Sequence, residues 1–227
     1  MTERSERTSP DRQRLWLLAA VGLTLCWLLP ETGIGGRLFG GTDLGARIAR
    51  ELVWWGMGAL VLLWVVYGER RPLASIGLKR PTLGSLGWGV AGGIALVASF
   101  MIGFAIIFPA FGLKMNQAAT AGIVAVPLWL QSATMVRAGV VEEILYRGYP
   151  IERLQGLLGN KWVPALLSAA VFIAVHYSYW GGAHLIIVTM GAAILTLLYL
   201  WRRDLATTMI AHFLGDFVGF MLARMHS

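Results

Sequence analysis

The chain has one cysteine, Cys26, in 227 residues. A single thiol excludes a disulfide within the chain and any cluster built on several cysteines. Charged side chains are also scarce, at 14% of residues against roughly 25% in a soluble domain. No His-Glu-x-x-His sequence occurs, so a zincin-type site is not indicated. No Gly-x-Ser-x-Gly occurs either, which removes the nucleophile elbow. Internal repeats and low-complexity segments are missing, which tells against the duplicated plan common among transporters. The net charge of +7 sits between apolar blocks rather than on a basic face with exposed aromatics, so nucleic acid is excluded as a partner.

What the chain has in excess is apolar surface. Hydrophobic residues make up 57%, against roughly 45–50% in soluble domains. A protein this small keeps much of its surface exposed, so that excess needs lipid as solvent. About 20 helical residues cross a hydrocarbon core of ~30 Å. Candidate spans fall at 15–29, 52–67, 86–108, a long stretch starting near 119, 162–177, 184–201 and 205–223. The first two are short and are expected to extend into their flanks. The predicted class is an all-α polytopic transmembrane bundle of about seven spans, enclosing a membrane-embedded polar cavity.

Residues 1–14 read as a flexible cytoplasmic arm and 15–224 as a single transmembrane domain. The arginines at 4, 7, 12 and 14 followed by an apolar block look like a secretory signal. The block closes in Leu-Leu-Pro-Glu without a small-x-small site, which favours a retained helix over a cleaved one. Lys and Arg gather in the arm, in Arg70 to Arg80, in Arg147 to Lys161 and at Arg202-Arg203. Alternate crossings with a cytoplasmic N-terminus put all four on the cytoplasmic side. Arg37, Arg47 and Arg50 in the following loop run against that pattern. Compactness and the use of arginine over lysine point to a prokaryotic cell membrane.

Gly87-Trp88-Gly89-Val90-Ala91-Gly92 imitates a dinucleotide fingerprint but opens an apolar helix with no preceding strand. Gly89 and Gly93, four apart, instead mark a close helix–helix contact.

Ionisable groups inside a membrane are costly, about 2.5–3.5 kcal/mol each on lenient scales, so those that cannot escape to water carry the information. Glu142 and Glu143 follow an apolar run and project about 100° apart, so they serve different purposes. Glu143 and Arg147 stand at i,i+4 in the favourable order for an ion pair. Glu142 is left free on the neighbouring face. If the helix runs from Pro127 to Leu158, Glu142 is near its middle, ~24 Å from the cytoplasmic end. If it stops at Val141, the pair is solvated at a surface. Phe172 and His176 share a face, as do His212 and Asp216. A surface-level Glu142 could not meet His176, which favours the long helix. Gathered in one cavity, these groups suit hydrolysis: a carboxylate and an imidazole deprotonate water while a second polar pair stabilises an oxyanion. Alternatively Glu142, His176 and His212 form a ligand set for Zn²⁺. His184, in a turn, and His226, at the C-terminus, have no assigned part. Tyr177, Tyr179 and Trp180 read as an interfacial belt.

Glu142-Glu143-x-x-x-Arg147, then Phe172-x-x-x-His176, then His212-x-x-x-Asp216 resembles the CPBP family across about residues 127–220, with Ser75-Ile76-Gly77-Leu78 as a similar upstream feature. That family contains the CAAX prenyl endopeptidases of the Ras-converting type and the bacteriocin-processing or self-immunity proteins of the Abi group. The resemblance implies an intramembrane endopeptidase, of metallo- or glutamate type, acting on a membrane-associated peptide or protein. It implies that Glu142 activates water with His176, that His212 and Asp216 line the oxyanion side, and that Glu143, Arg147 and Phe172 support the site. The family's third motif ends in Asn or Asp; an Asn amide would donate to the oxyanion, whereas Asp216 donates only when protonated and otherwise orients His212. A non-catalytic scaffold or immunity protein using the same cavity is the rival reading. A proton-coupled carrier is a third.

Overall fold

The computed structural model describes residues 10–225, and among them there is no strand. Besides a short 3-10 helix at Leu73–Ile76, nine helices follow in order among the described residues: α1 (Asp11–Leu28), α2 (Pro30–Leu38), α3 (Leu44–Gly68), α4 (Leu83–Ala110), α5 (Gln117–Val124), α6 (Leu128–Leu158), α7 (Trp162–Trp180), α8 (Leu185–Arg202) and α9 (Leu205–Met225). The chain is an integral, multi-pass helical bundle. Five of these helices are long and apolar enough to cross a membrane alone; α1 with α2 and α5 with α6 bring the number to seven if each bent pair is one span. Helix begins by Asp11, inside the arm expected to be flexible; the first nine residues of that arm and His226 lie outside the described residues.

Local chemistry sets the breaks. Pro30 lacks the N–H that would continue α1, and α2 leaves at 41°. Asp43 caps α3 by accepting from the Ala46 N–H at 3.0 Å, and Thr82 and Ser85 form a capping box on α4. The stretch beginning near 119 is not one helix: α5 turns by 112° at Ala125–Pro127 before α6 begins. From there α6 runs unbroken to Leu158, where Gly159 takes a left-handed φ of 67°. The second span, expected at 52–67, starts eight residues earlier, at Leu44, because Arg47, Arg50 and Glu51 have partners inside the protein.

Lipid gives no hydrophobic drive between helices, so close packing of small residues has to supply it. Helices α4 and α9 illustrate this. A Cβ added to Gly89 would come within 2.7 Å of Ile210, and one on Gly93 within 2.7 Å of Leu214. The glycine spacing is therefore a packing device. The outer face of α4 stays bare, with Leu83, Ile94 and Ile106 more than 60% exposed, as a lipid-facing surface should be.

At one end of the bundle the basic segments meet. Arg153 binds Glu69 at 2.7 Å and Ser75, Arg203 binds Glu152 at 3.2 Å, and the Leu205 N–H donates to the Gly77 carbonyl. The long helix places Glu142 about 24 Å from its end at Leu158, as expected, and about 9 Å from Gly148, which packs on Leu205, the first residue of α9.

Candidate active site

Three helices deliver the polar groups. Helix α6 winds wide twice, over Ala138–Glu142 and Ile144–Gly148, each time closing i→i+5, and Glu143 sits between the two wide turns. Such turns re-aim side chains and gather at functional sites. Helix α9 approaches α6 at Gly139, where an added Cβ would stand 3.0 Å from the Met209 carbonyl and the Phe213 nitrogen. Helix α7 is held to α6 by the Ser168 hydroxyl on the Tyr146 carbonyl.

Glu143 is fully buried. It accepts from Arg147 Nη1 at 2.7 Å and from His212 Nδ1 at 2.8 Å, both on Oε1. The i,i+4 pair expected between Glu143 and Arg147 is present, and the same carboxylate fixes the His212 ring. With Nδ1 committed, His212 turns Nε2 to Asp216 Oδ2 at 3.5 Å. Phe172 packs at the centre: its ring lies 4.2 Å from the Arg147 guanidinium carbon, 4.4 Å from the His176 ring and 6.3 Å from the His212 ring.

Glu142 points away from this pair, towards the cavity. Its Oε1 accepts from Arg137 Nη1 at 3.0 Å, and its Oε2 stands 4.0 Å from His176 Nε2. His176 Nδ1 lies 2.6 Å from the Phe172 carbonyl, which can only accept, so Nδ1 carries the proton. In the neutral ring Nε2 is then an acceptor facing another acceptor. A separation of 4.0 Å is too long for a direct hydrogen bond and suits a shared water about 2.8 Å from each. That water would donate one proton each way and present its lone pair to the cavity.

The cavity has a volume of about 1080 Å³. Glu142, His176, His212 and Asp216 line it, together with an apolar wall that includes Leu96, Phe100, Phe104 and Ile187. All four groups singled out in the sequence therefore face one space. Glu143 and Arg147 lie behind them.

Three features escaped the sequence. Arg137 and Glu51 pair at 2.9 Å beside Glu142, although only Glu142 had been read as part of a site. His184, given no part, is buried at the cavity wall, stacked on Trp180 with ring centroids 4.3 Å apart. Burial and the nearby His176 imidazole pull His184 down to about 4, against an opposing pull from Asp216. Tyr179 and Trp180 likewise line the cavity, the Tyr179 hydroxyl donating to the Ala119 carbonyl, while Tyr177 and Tyr179 both keep an exposed place.

The zinc reading can be compared with this geometry. A Zn²⁺ ion needs its N and O donors about 2.0–2.2 Å from one point. Among the described residues no three His, Cys, Asp or Glu side chains are gathered to hold a metal. His212 directs both ring nitrogens to carboxylates, which leaves neither for an ion shared with Glu142 and His176. The residues as arranged do not fit the ion.

Residues 123–218 match the family described as type II CAAX prenyl endopeptidase Rce1-like; the three motifs from Glu142 to Asp216 fall inside that segment, and Ser75 to Leu78 lie outside it. No curated protein and no solved structure matches the chain.

Proposed function

The chain belongs to the CPBP family through its Rce1-like segment, and from that premise we propose an intramembrane endopeptidase using water activated by Glu142 and His176. Its substrate is a membrane-associated or prenylated, CAAX-like protein or peptide. The observation that carries the reading is the 4.0 Å gap between two acceptor atoms, Glu142 Oε2 and His176 Nε2, at the wall of a large cavity.

In this mechanism the water oxygen attacks the scissile carbonyl carbon as one of its protons passes to the Glu142–His176 pair. The developing oxyanion faces His212 and Asp216, where a proton held between Nε2 and Oδ2 supplies the donor. The tetrahedral adduct collapses by breaking the C–N bond, and the proton taken from water goes to the departing amine. Glu143 and Arg147 keep His212 oriented and do not touch the substrate. The basic end of the bundle, rich in Arg70, Arg71, Lys79, Arg80, Arg202 and Arg203, faces the cytoplasm of a prokaryotic cell, as does the N-terminus.

The test is cleavage of farnesylated peptides ending in a CAAX sequence by the purified full chain in lipid nanodiscs, with products identified by mass spectrometry. Glu142→Gln keeps the side-chain shape and removes the base, so cleavage should fall at least about a thousandfold while the protein still folds and expresses. Cleavage persisting in that variant sinks the proposal. So does a wild type inert towards both prenylated and plain membrane peptides.

A further inference from the structure

Arg137 is an arginine buried to 9% exposure in α6, and such a group persists only with partners. It has two acidic ones. Nε and Nη2 form a fork on the Glu51 carboxylate, at 2.9 and 3.5 Å, and the remaining Nη1 donates to Glu142 Oε1 at 3.0 Å. The Trp54 ring, from the same turn of α3 as Glu51, lies 5.1 Å from the guanidinium carbon. One carboxylate would neutralise the arginine. The second is Glu142, the group assigned to water.

We propose that Arg137, braced by Glu51 and Trp54, is a positioning residue for Glu142, an inference that rests on the hydrolytic reading. A glutamate has three rotatable bonds, and a carboxylate facing a water-filled cavity would sample several orientations. Tying Oε1 to a guanidinium that is itself held on a different helix leaves Oε2 aimed at His176 Nε2. The backbone is built for this contact. Positions five apart diverge by about 140° on an α-helix, but the wide turn Ala138–Glu142 closes i→i+5 and brings residue 142 over residue 137. Helix α3 thereby enters the site through Glu51, without a group of its own at the reacting atoms. The fork geometry also requires arginine, since lysine offers a point charge and cannot span both carboxylates in a plane.

The experiment compares wild type with R137M, R137K and E51Q, using the farnesylated CAAX peptide in nanodiscs. R137M should lower kcat about a hundredfold, as expected for a misplaced catalytic group, with KM changed less than about threefold. R137K should recover little of that loss, and E51Q should fall between R137M and wild type. A second measurement does not depend on turnover. The infrared carboxylate band of Glu142, isolated as the difference between wild type and E142Q, should move when Arg137 is replaced by Met in both backgrounds. A kcat within about threefold of wild type in R137M, or an unmoved Glu142 band in folded protein, overturns the assignment. If the wild type cleaves no peptide, the hydrolytic reading falls, and the band still decides whether Arg137 holds Glu142.

Discussion

His212 Nδ1 donates to Glu143 Oε1 at 2.8 Å, and that oxygen also accepts from Arg147 at 2.7 Å, so one buried carboxylate ties α9 to α6 and neutralises an arginine. The site is consequently two layers deep. Glu142 and His176 face the cavity, and Glu143 and Arg147 hold the wall behind His212.

The first expectation separates those layers. Glu143→Ala leaves the Arg147 charge buried without its partner, a loss of about 3–5 kcal/mol. Replacing both, as E143L with R147M, removes the orphaned charge and should restore most of the stability. It should not restore cleavage, because the His212 ring has lost the acceptor that orients it. Unfolding in mixed micelles and peptide turnover, measured on the same preparations, check both halves. Equal recovery of stability and activity would show that Glu143 acts only as a counter-ion.

How much of this was legible beforehand depended on local spacing. The i,i+4 pairs Phe172–His176 and His212–Asp216 lie on ordinary helix faces, Glu143 and Arg147 meet at that spacing although Ile144–Gly148 winds wide, and ionisable groups in apolar runs are conspicuous. Arg137 was illegible for a physical reason. Normal helical winding puts it on another face from Glu142, and no sequence pattern announces a wide turn. Glu51 was hidden because its charge, with Arg47 and Arg50, disguised the true start of α3. The Arg47 and Arg50 guanidiniums donate to the Gly122, Thr42, Phe39 and Gly41 carbonyls, so these arginines fasten loops.

Phe172 gives the second expectation. Its ring touches Arg147, His176 and His212 at once, and Phe172→Ala should cost about 3–5 kcal/mol, as for other buried Phe truncations. Phe172→Leu, which keeps most of the volume, should cost under about 2 kcal/mol and retain measurable cleavage. The His176 tautomer is set by the Phe172 carbonyl, a backbone group, so neither change should move the proton from Nδ1. Nitrogen-15 shifts of the His176 ring in the Leu variant read that directly.

His184 supplies a pH expectation. Its imidazole is held down to about 4 in the fold, below the ordinary value near 6.5. As pH falls from about 6.5 towards 4 the unfolded chain takes up a proton that the folded protein refuses, so stability declines through that window. Above about 6.5 both states are neutral and the contribution vanishes. His184→Phe should keep the stack on Trp180 and flatten the fall in Tm between pH 6.5 and 5. An unchanged slope would mean that the ring is protonated in the fold.

Gly139 tests whether helix approach sets the chemistry. An added Cβ would meet backbone of α9, the Met209 carbonyl and the Phe213 nitrogen, each at 3.0 Å. Backbone cannot rotate away as a side chain can, so Gly139→Ala must push the two helices apart by a few tenths of an ångström. Overpacking of this kind costs about 1–3 kcal/mol. The displacement falls within one helical turn of the Glu143–His212 bond, so kcat should drop more than about tenfold even in protein that remains folded. Gly87→Ala is the matched control, since nothing lies within 4 Å of its added Cβ. Relief of glycine's helix penalty should leave that variant as stable as wild type or up to about 1 kcal/mol more so, with cleavage unchanged. Loss of activity in both variants would point to a general sensitivity of the bundle. Loss in the first alone ties the reaction to the distance between α6 and α9.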